Sequence, residues 1–414
     1  MTLSAAEQFL LELINRARLD PASEAARNGI DLNAGLAAGT ISTGAKQVLV
    51  ANALLEQAAV LHTGFMIDAD IFSHTGAGGS DPGDRILDQG YDWSTFGENI
   101  ALVGSTAAVT VEGSVAELYK NLFLSEEHRV NTMNRAFAEV GLGAEVGRFT
   151  QGAGTFNAVL LTEDFATRSP SHFLTGVAYQ DGNADRFYGM GEGLAGVVFQ
   201  VGVASASTEA AGGYGLTAGN GLSVAVTGHL GALDFSLTVD MRAGNVKLDL
   251  VSGTTFFASG SVILGTGIDD LVLLGVARLD GTGNAAGNHL TGNRGANVLT
   301  GLGGADVLLG GGGADRLSGG RGNDRLTGGA GGDTFVFGPL DRVDRVTDFN
   351  RAGGDILRLD DALWAGQSLT AAQVVGQFGH VVQNHAVLEF AGGEVVHLLS
   401  VAGLAGLDGA IEIF

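Results

Sequence analysis

The chain has 414 residues, 45 of them acidic against 22 basic, for a formal charge of −23. That length allows two to four domains, and the acidic balance argues against nucleic acid as a partner and for a surface that takes up cations. With no cysteine there is neither a disulfide framework nor thiol chemistry, and no apolar run is long enough to span a bilayer.

The chain opens MTLSAAEQFLLELINRARLDP. Ser4 and Glu7 stand at capping-box spacing, and Phe9, Leu10, Leu13 and Ile14 follow on one face of an amphipathic helix. This start reads as part of a folded domain. A Sec-type leader would set an apolar core behind a basic segment. Leu54, Leu55, Ala58, Leu61, Phe65 and Met66 mark a second helix, and Leu118, Leu122 and Phe123 a third. After Arg135 the pattern turns to strands in AEVGLGAEV and FNAVLLTEDFA. Residues 1–168 read as an α+β sandwich.

Short motifs run in order through this half: INRAR at 14–18, FSHTG at 72–76, RILDQGY at 85–91, GENIA at 97–101, SEEHRVN at 125–131 and FAEVGLG at 137–143. Together they resemble the CAP superfamily (cysteine-rich secretory, antigen 5 and pathogenesis-related proteins), in its bacterial branch without disulfides. The resemblance implies a cleft lined by two histidines and two acidic residues. His74, Glu98 and His128 match three of the four. The second acid falls near Ser125, with Glu126, Glu127, Glu117 and Glu112 all open as substitutes. Two imidazoles and a carboxylate suit zinc with one coordination position free, or general acid–base work. They equally suit a hydrogen-bonded network that holds helices together. Ser73 beside His74 does not make a triad. His62, one turn before Met66, reads as a partly exposed helix residue.

Residues 172–264 alternate Gly, Val and Thr, and LAGVVFQVGVAS, LSVAVTGHL and NVKLDLVSG read as strands. The stretch resembles the B-type immunoglobulin-like or prealbumin-like repeats of bacterial surface adhesins, which implies a β-sandwich spacer. Within it Asp181, Asn183, Asp185, the Phe187 carbonyl and Glu192 stand at EF-hand ligand spacings. Arg186 holds the place of the usual glycine, so a less tightly turned calcium loop is expected.

From Gly283 to Val336 the chain repeats every nine residues: GNAAGNHLT, GNRGANVLT, GLGGADVLL, GGGGADRLS, GGRGNDRLT and GGAGGDTFV. Each unit opens on glycine, has Asp or Asn sixth, and Leu or Phe eighth. A flexible linker would not keep Leu290, Leu299, Leu308, Leu317, Leu326 and Phe335 in phase. The period is that of the calcium-binding β-helix repeat, and the segment resembles the RTX family. With two units per coil, Asp306 and Asp324 fall on one edge, and Asp315 and Asp333 on the other. Carboxylates on neighbouring coils, about 4.8 Å apart, repel by roughly 1 kcal/mol in water and about 3 to 4 at an effective dielectric of 20. Calcium held by carboxylates and glycine carbonyls reverses that repulsion, so the roll is expected to fold with calcium. Asn288 and Asn297 replace Asp in the first two units. Those turns can pack as coils, and their calcium binding is left open. GTGIDDLVLLG at 265–275 reads either as a first coil or as the last strand of the spacer.

Residues 341–359, DRVDRVTDFNRAGGDILRL, and the terminus AIEIF resemble the segments that follow the repeats in serralysin-type proteins. That resemblance implies type I secretion through an uncleaved C-terminal signal. A β-rich cap over the open edge of the roll is the accompanying expectation.

The expected chain is therefore multidomain. It runs from a CAP domain (1–168) to a β-sandwich spacer (172–264), a parallel calcium β-roll (265–337) and a C-terminal cap with the export signal (338–414). The favoured role is a secreted, extracellular calcium-binding protein whose cleft takes an apolar ligand such as a sterol or lipid, or docks an extracellular protein or polysaccharide. The alternative is a metal-assisted hydrolase using His74, Glu98 and His128. No serine or cysteine nucleophile has a recognisable setting, which weighs against catalysis. A third possibility is a matrix protein in which only the repeats matter.

Overall fold

Glu7 reaches back to the Ser4 amide at 2.9 Å while the Ser4 hydroxyl accepts from the Glu7 amide at 3.2 Å, which closes the capping box and starts helix α1 (Ala5–Leu19). The computed structural model describes residues 3–152, 154–168, 172–219 and 223–414. The chain divides into two units, residues 1–222 with 241–253, and residues 223–240 with 254–414.

In the first unit, α1 is followed by α2 (Pro21–Arg27), α3 (Ala53–Asp68), α4 (Pro82–Asp88), α5 (Val111–Leu124) and α6 (Glu126–Thr132). Four strands, β1 (Val50–Ala51), β2 (Thr95–Ser105), β3 (Glu139–Gln151) and β4 (Gly154–Thr167), form a sheet in the order β1-β3-β4-β2. β1 runs parallel to β3, and the other pairs are antiparallel. Alternate residues of a strand face opposite sides, so β4 buries both faces. Val159, Leu161 and Phe165 join Leu10, Ile14, Leu118 and Phe123 in one core. Ala158 and Leu160 pack with Met66 and Ile100 in another.

The glycines in AEVGLGAEV have a specific cause. A Cβ on Gly141 would lie 2.0 Å from the Leu55 backbone, and one on Gly143 would lie 2.5 Å from Val60 N. Helix α3 therefore lies directly on β3, and only glycine permits that approach. Its contact face carries Leu55, Ala58, Ala59, His62, Thr63 and Met66. Leu61, one of the apolar residues whose spacing marks the helix, is 55% exposed. His62, expected to be partly exposed, is 1% exposed. The apolar spacing located the helix, but the close approach to β3 decided which side was buried.

The first unit also holds strand His172–Tyr179, antiparallel to Gly213–Gly219 and parallel to Val246–Val251. Polar contacts pin these strands to the helical part. Asn245 Nδ2 donates to Val48 O at 3.0 Å and to Ala138 O at 2.8 Å. The buried Lys247 ammonium pairs with Glu12 Oε2 at 2.8 Å and with Asp249. The expected spacer, 172–264, thus contributes strands to both units. The expected boundary before it, at 169–171, lies outside the described residues.

The second unit is a β-solenoid. One parallel sheet stacks Thr255–Ala258, Asp270–Leu273, His289–Thr291, Val307–Gly312, Arg325–Ala330, Val343–Val346 and Val395–Leu398. Its register brings Phe256, Leu271, Leu290, Leu308, Leu326, Val346 and Leu398 into one buried column. The second sheet stacks Val262–Leu264 through Ile411–Ile413, with Leu299, Leu317, Phe335 and Leu357 in its column. The residues at 265–275 form a coil, since Asp270–Leu273 pairs in parallel on both sides. Parallel pairing begins at Thr255, before the nine-residue pattern, and runs past its end to the C-terminal strand. Among the described residues no helix is long and apolar enough to cross a membrane.

Candidate functional site

The His74–Glu98 cluster of the first unit is built on β2 and β4. Glu98 on β2 is 7% exposed. Its Oε1 lies 2.7 Å from His74 Nδ1 and 3.9 Å from His62 Nε2, and its Oε2 accepts from Arg85 on α4. Arg85 also donates to the His74 carbonyl at 3.0 Å, which ties the FSHTG loop to α4. His62 Nε2 is bound to the Ser73 carbonyl at 2.9 Å. His128 Nδ1 meets Ser125 Oγ at 2.8 Å. Burial lowers the pKa of both His62 and His128, with His74 adding to the effect. The His74 side chain is 52% exposed.

The acid nearest Glu98 comes from neither α5 nor α6, where Glu112, Glu117, Glu126 and Glu127 are exposed. It is Asp164, the register partner of Glu98 on β4. Asp164 is 0% exposed, and neither of its oxygens meets a donor. Burial and then Glu98 push its pKa well above the ordinary range. Buried beside a carboxylate and without a donor, Asp164 favours its protonated form. The neighbouring pair repeats the theme more weakly. Glu163 accepts from Asn99 Nδ2 at 2.9 Å and is pushed up to about 7 by burial. The resemblance placed a second acid near Ser125 and said nothing of Asp164, whose approach to Glu98 depends on the β2–β4 register.

The set does not fit zinc. Both Glu98 oxygens are engaged, one of them by a guanidinium, and among the described residues His74, Glu98 and His128 do not gather into a group that could hold a metal. A cavity of about 340 Å³ in this unit lies elsewhere, lined by Gln8, Leu11, Val50, Glu139, Thr175 and Tyr214.

The 181–192 loop folds its side chains onto its own backbone. Asp181 accepts from Asp185 N at 3.2 Å and Arg186 N at 3.1 Å, Asn183 Oδ1 from Asp185 N at 3.0 Å, and Asp185 Oδ1 from Phe187 N at 2.8 Å. Glu192 accepts from Gly182 N at 3.2 Å and Gly189 N at 2.7 Å. Arg186 adopts φ +60°, the left-handed turn that glycine usually supplies. The loop is therefore tightly turned despite the arginine, contrary to expectation.

In the roll, each sixth-position residue is tied to the coil before it. Along one edge, Asn288 N donates to Asp306 Oδ1 at 2.7 Å and Asp306 N to Asp324 Oδ1 at 2.8 Å. Along the other, Asn297 N donates to Asp315 Oδ1 at 2.7 Å and Asp315 N to Asp333 Oδ1 at 2.9 Å. The description "RTX calcium-binding nonapeptide repeat (4 copies)" matches residues 282–317 and 309–339. These residues are RTX calcium-binding repeats.

No curated protein matches the chain. Among solved structures, an extracellular protein containing an SCP domain from Bacillus anthracis is 24% identical over 30% of this chain, with a TM-score of 0.22. The chain spans only about a third of that protein, 35% of its length. A subunit of the Azotobacter vinelandii mannuronan C5-epimerase is 29% identical over 32% of this chain and 80% of its own, with a TM-score of 0.26. An outer surface protein from Borrelia burgdorferi is 14% identical over 41% of this chain and 97% of its own, with a TM-score of 0.26.

The RTX turns carry the marks of a cation site. The Oδ2 atoms of Asp306, Asp315, Asp324 and Asp333 are buried without a partner. Each hangs over the first glycine of its unit. A Cβ there would lie 2.2 Å from Asp306 Oδ2 at Gly301, and 2.1 Å from Asp324 Oδ2 at Gly319. Burial raises the pKa of all four, to about 6 for Asp306, Asp315 and Asp324. Among the described residues no three Asp, Glu or His side chains converge on one point. Backbone carbonyls must therefore supply much of the calcium shell, as in other all-oxygen sites.

The Asn turns are different. Asn297 Oδ1 accepts from Asn293 N at 2.8 Å and its Nδ2 donates to Leu279 O at 2.8 Å. Asn288 does the same with Asn284 N at 2.8 Å and Asp269 O at 2.9 Å. Their amides complete the turn without a cation. Both edges also continue past the repeats, since Asp324 N donates to Asp344 Oδ1 at 2.8 Å and Asp333 N to Asp355 Oδ1 at 2.9 Å. Sequence reasoning missed Asp344 and Asp355 because their offsets, 20 and 22 residues, break the 18-residue coil spacing.

Proposed function

We propose that this chain is a secreted calcium-binding protein, exported by a type I route under the direction of its C-terminal segment, whose second unit folds on meeting extracellular calcium. The observation that carries the reading is the row of buried, partnerless Asp oxygens above glycine cradles in the RTX turns. A carboxylate in that position needs a cation or a proton. Asp306, Asp315, Asp324 and Asp333 are the proposed calcium ligands. The loop of Asp181, Asn183, Asp185, the Phe187 carbonyl and Glu192 is a further proposed calcium site. Its inward-turned oxygens support that reading.

The proposed layout is a CAP domain at 1–168, a spacer at 172–264, the roll at 265–337 and an export cap at 338–414. In the CAP domain, the His74–Glu98–Arg85 network serves as a docking site for a ligand or partner. The paired charges of Glu98 and Arg85 support recognition over hydrolysis. The test is native mass spectrometry on protein recovered from medium without chelator, followed by calcium titration of its circular dichroism. Bound calcium and a calcium-induced gain of β structure are expected. A chain that binds none and keeps its spectrum in chelator would overturn the reading.

A further inference from the structure

Lys247 carries its ammonium into the interior of the first unit. It is 5% exposed, with Gln8 and Glu12 at 3% and Asp249 at 4% beside it. Glu12 lies on α1, and Lys247 and Asp249 lie on the strand Val246–Val251. Lys247 Nζ is 2.8 Å from Glu12 Oε2 and also meets Asp249 Oδ2. If both acids were ionised, these three groups would hold one negative charge in excess, which a dry interior resists. Burial is the largest influence on both carboxyls and pushes both up. The cluster is therefore balanced when one of the two acids holds a proton.

The surrounding contacts fit each group for a separate chemical role. Gln8 Nε2 donates to Glu12 Oε1 at 2.9 Å. That oxygen gains charge when a nucleophile adds to the carboxyl, and a fixed donor stabilises it. A Cβ on Gly213 would lie 2.0 Å from Gln8 Oε1, so the Gln8 amide is pressed against the strand Gly213–Gly219. Asp249 Oδ1 accepts from Val177 N at 2.9 Å, which leaves Oδ2 for Lys247. The Tyr214 hydroxyl donates to the carbonyl of Leu248, between Lys247 and Asp249, at 2.7 Å. An amine, a carboxyl with a donor on its far oxygen and a second carboxyl to relay protons thus meet where water is excluded.

We propose that Lys247 and Glu12 join in an isopeptide bond, an amide between Lys247 Nζ and Glu12 Cδ that fastens α1 to the strand Val246–Val251. The reaction is a condensation and needs no co-reactant. Asp249, as a carboxylate, takes one proton from the Lys247 ammonium. The free amine then adds to Cδ of Glu12, which holds the other acid proton. The C–N bond forms and the bond from Cδ to Oε2 breaks. A second proton from the nitrogen leaves with the Glu12 hydroxyl as water, and Asp249 keeps the first. An ammonium and a carboxylate are replaced by an amide and a neutral acid, so no charge remains in the dry site. The fold supplies the proximity that replaces chemical activation of the carboxyl. Asp249 acts as the catalytic base, and Gln8 positions and polarises the carboxyl. The bond would make the joint between helix and strand permanent, independently of calcium.

The experiment is tryptic peptide mapping of the folded full chain by mass spectrometry. Trypsin does not cleave at an acylated lysine. A branched fragment joining residues 1–16 to residues 243–278, lighter than the two together by one water, is therefore expected. The intact denatured chain should be lighter than its sequence mass by the same water. Lys247→Arg keeps the charge but should show neither the fragment nor the loss. Asp249→Asn retains both bonding partners, and the branched fragment should appear about 100-fold more slowly, the usual effect of removing a proton-relaying group. An unlinked fragment 1–16 with cleavage after Lys247, in the folded wild type, would overturn the bond. A water loss that maps to Asp249, or to any other residue, would overturn it as well. If the variants do not fold, the wild-type map decides alone.

Discussion

Asn297 and Asp315 follow one another along the same edge of the roll, one coil apart. The Asn amide donates to Leu279 O, whereas the Asp has only a bare oxygen in the corresponding position. This single atom, NH₂ or O⁻, decides whether a turn needs a cation. Asp315→Asn is therefore expected to fold, to bind less calcium, and to need less of it for folding. Asp315→Ala removes the acceptor for Asn297 N as well. It should destabilise the calcium-loaded roll by about 1–3 kcal/mol, the usual cost of an orphaned buried donor, measured by urea denaturation in calcium. On β4, Asp164→Asn removes a buried carboxyl that favours its protonated form. Infrared difference spectra at neutral pH should show the variant losing one protonated carboxyl band, while that of Glu163, pushed up to about 7, remains. A difference spectrum without that loss would show that Asp164 is ionised.

At the scale of elements, the roll balances burial against charge. Its two leucine columns stabilise it, while the Asp edges oppose it until calcium arrives. Leu308→Ala leaves a hole in a fully buried column and should cost about 2–5 kcal/mol, read from thermal or urea unfolding in calcium. The pH dependence follows from the carboxyls that burial pushes up to about 6 from an ordinary 3.8. A folded group that holds its proton more tightly than the unfolded chain does stabilises the protonated form. That contribution is complete below about pH 4 and is lost as pH rises through about 6. Without calcium, the second unit should weaken across that window. With calcium, protons and metal compete for the same oxygens, so calcium affinity should fall as pH drops through about 6. Calcium titrations at neutral and mildly acidic pH check both signs.

For the whole molecule, the two units have different sources of stability. The first has a mixed helix–sheet core and the buried Lys247–Glu12–Asp249 cluster. The second depends on thin coils whose edges carry charge. Scanning calorimetry with and without chelator should therefore shift one transition strongly, that of residues 223–240 with 254–414. The other transition should move little. A single transition that moves as a whole would contradict this division.

The nine-residue period by itself determined the solenoid. Leucine at every eighth place and Asp or Asn at every sixth can be satisfied together only if each unit makes the same turn. The helices at 5–19, 53–68 and 111–124 were legible for a similar reason, since their apolar spacing and the Ser4 cap are local. So were His74 and Glu98, through short motifs. Contacts between residues remote in sequence were left to the tertiary structure. The pairing of Glu98 with Asp164 depends on strand register, the burial of His62 on how closely α3 approaches β3, and the pairing of Val343–Val346 with Val395–Leu398 on a strand remote in sequence. Periodicity reports which face of an element is apolar. Only the packed chain decides which charges that face, once buried, must meet.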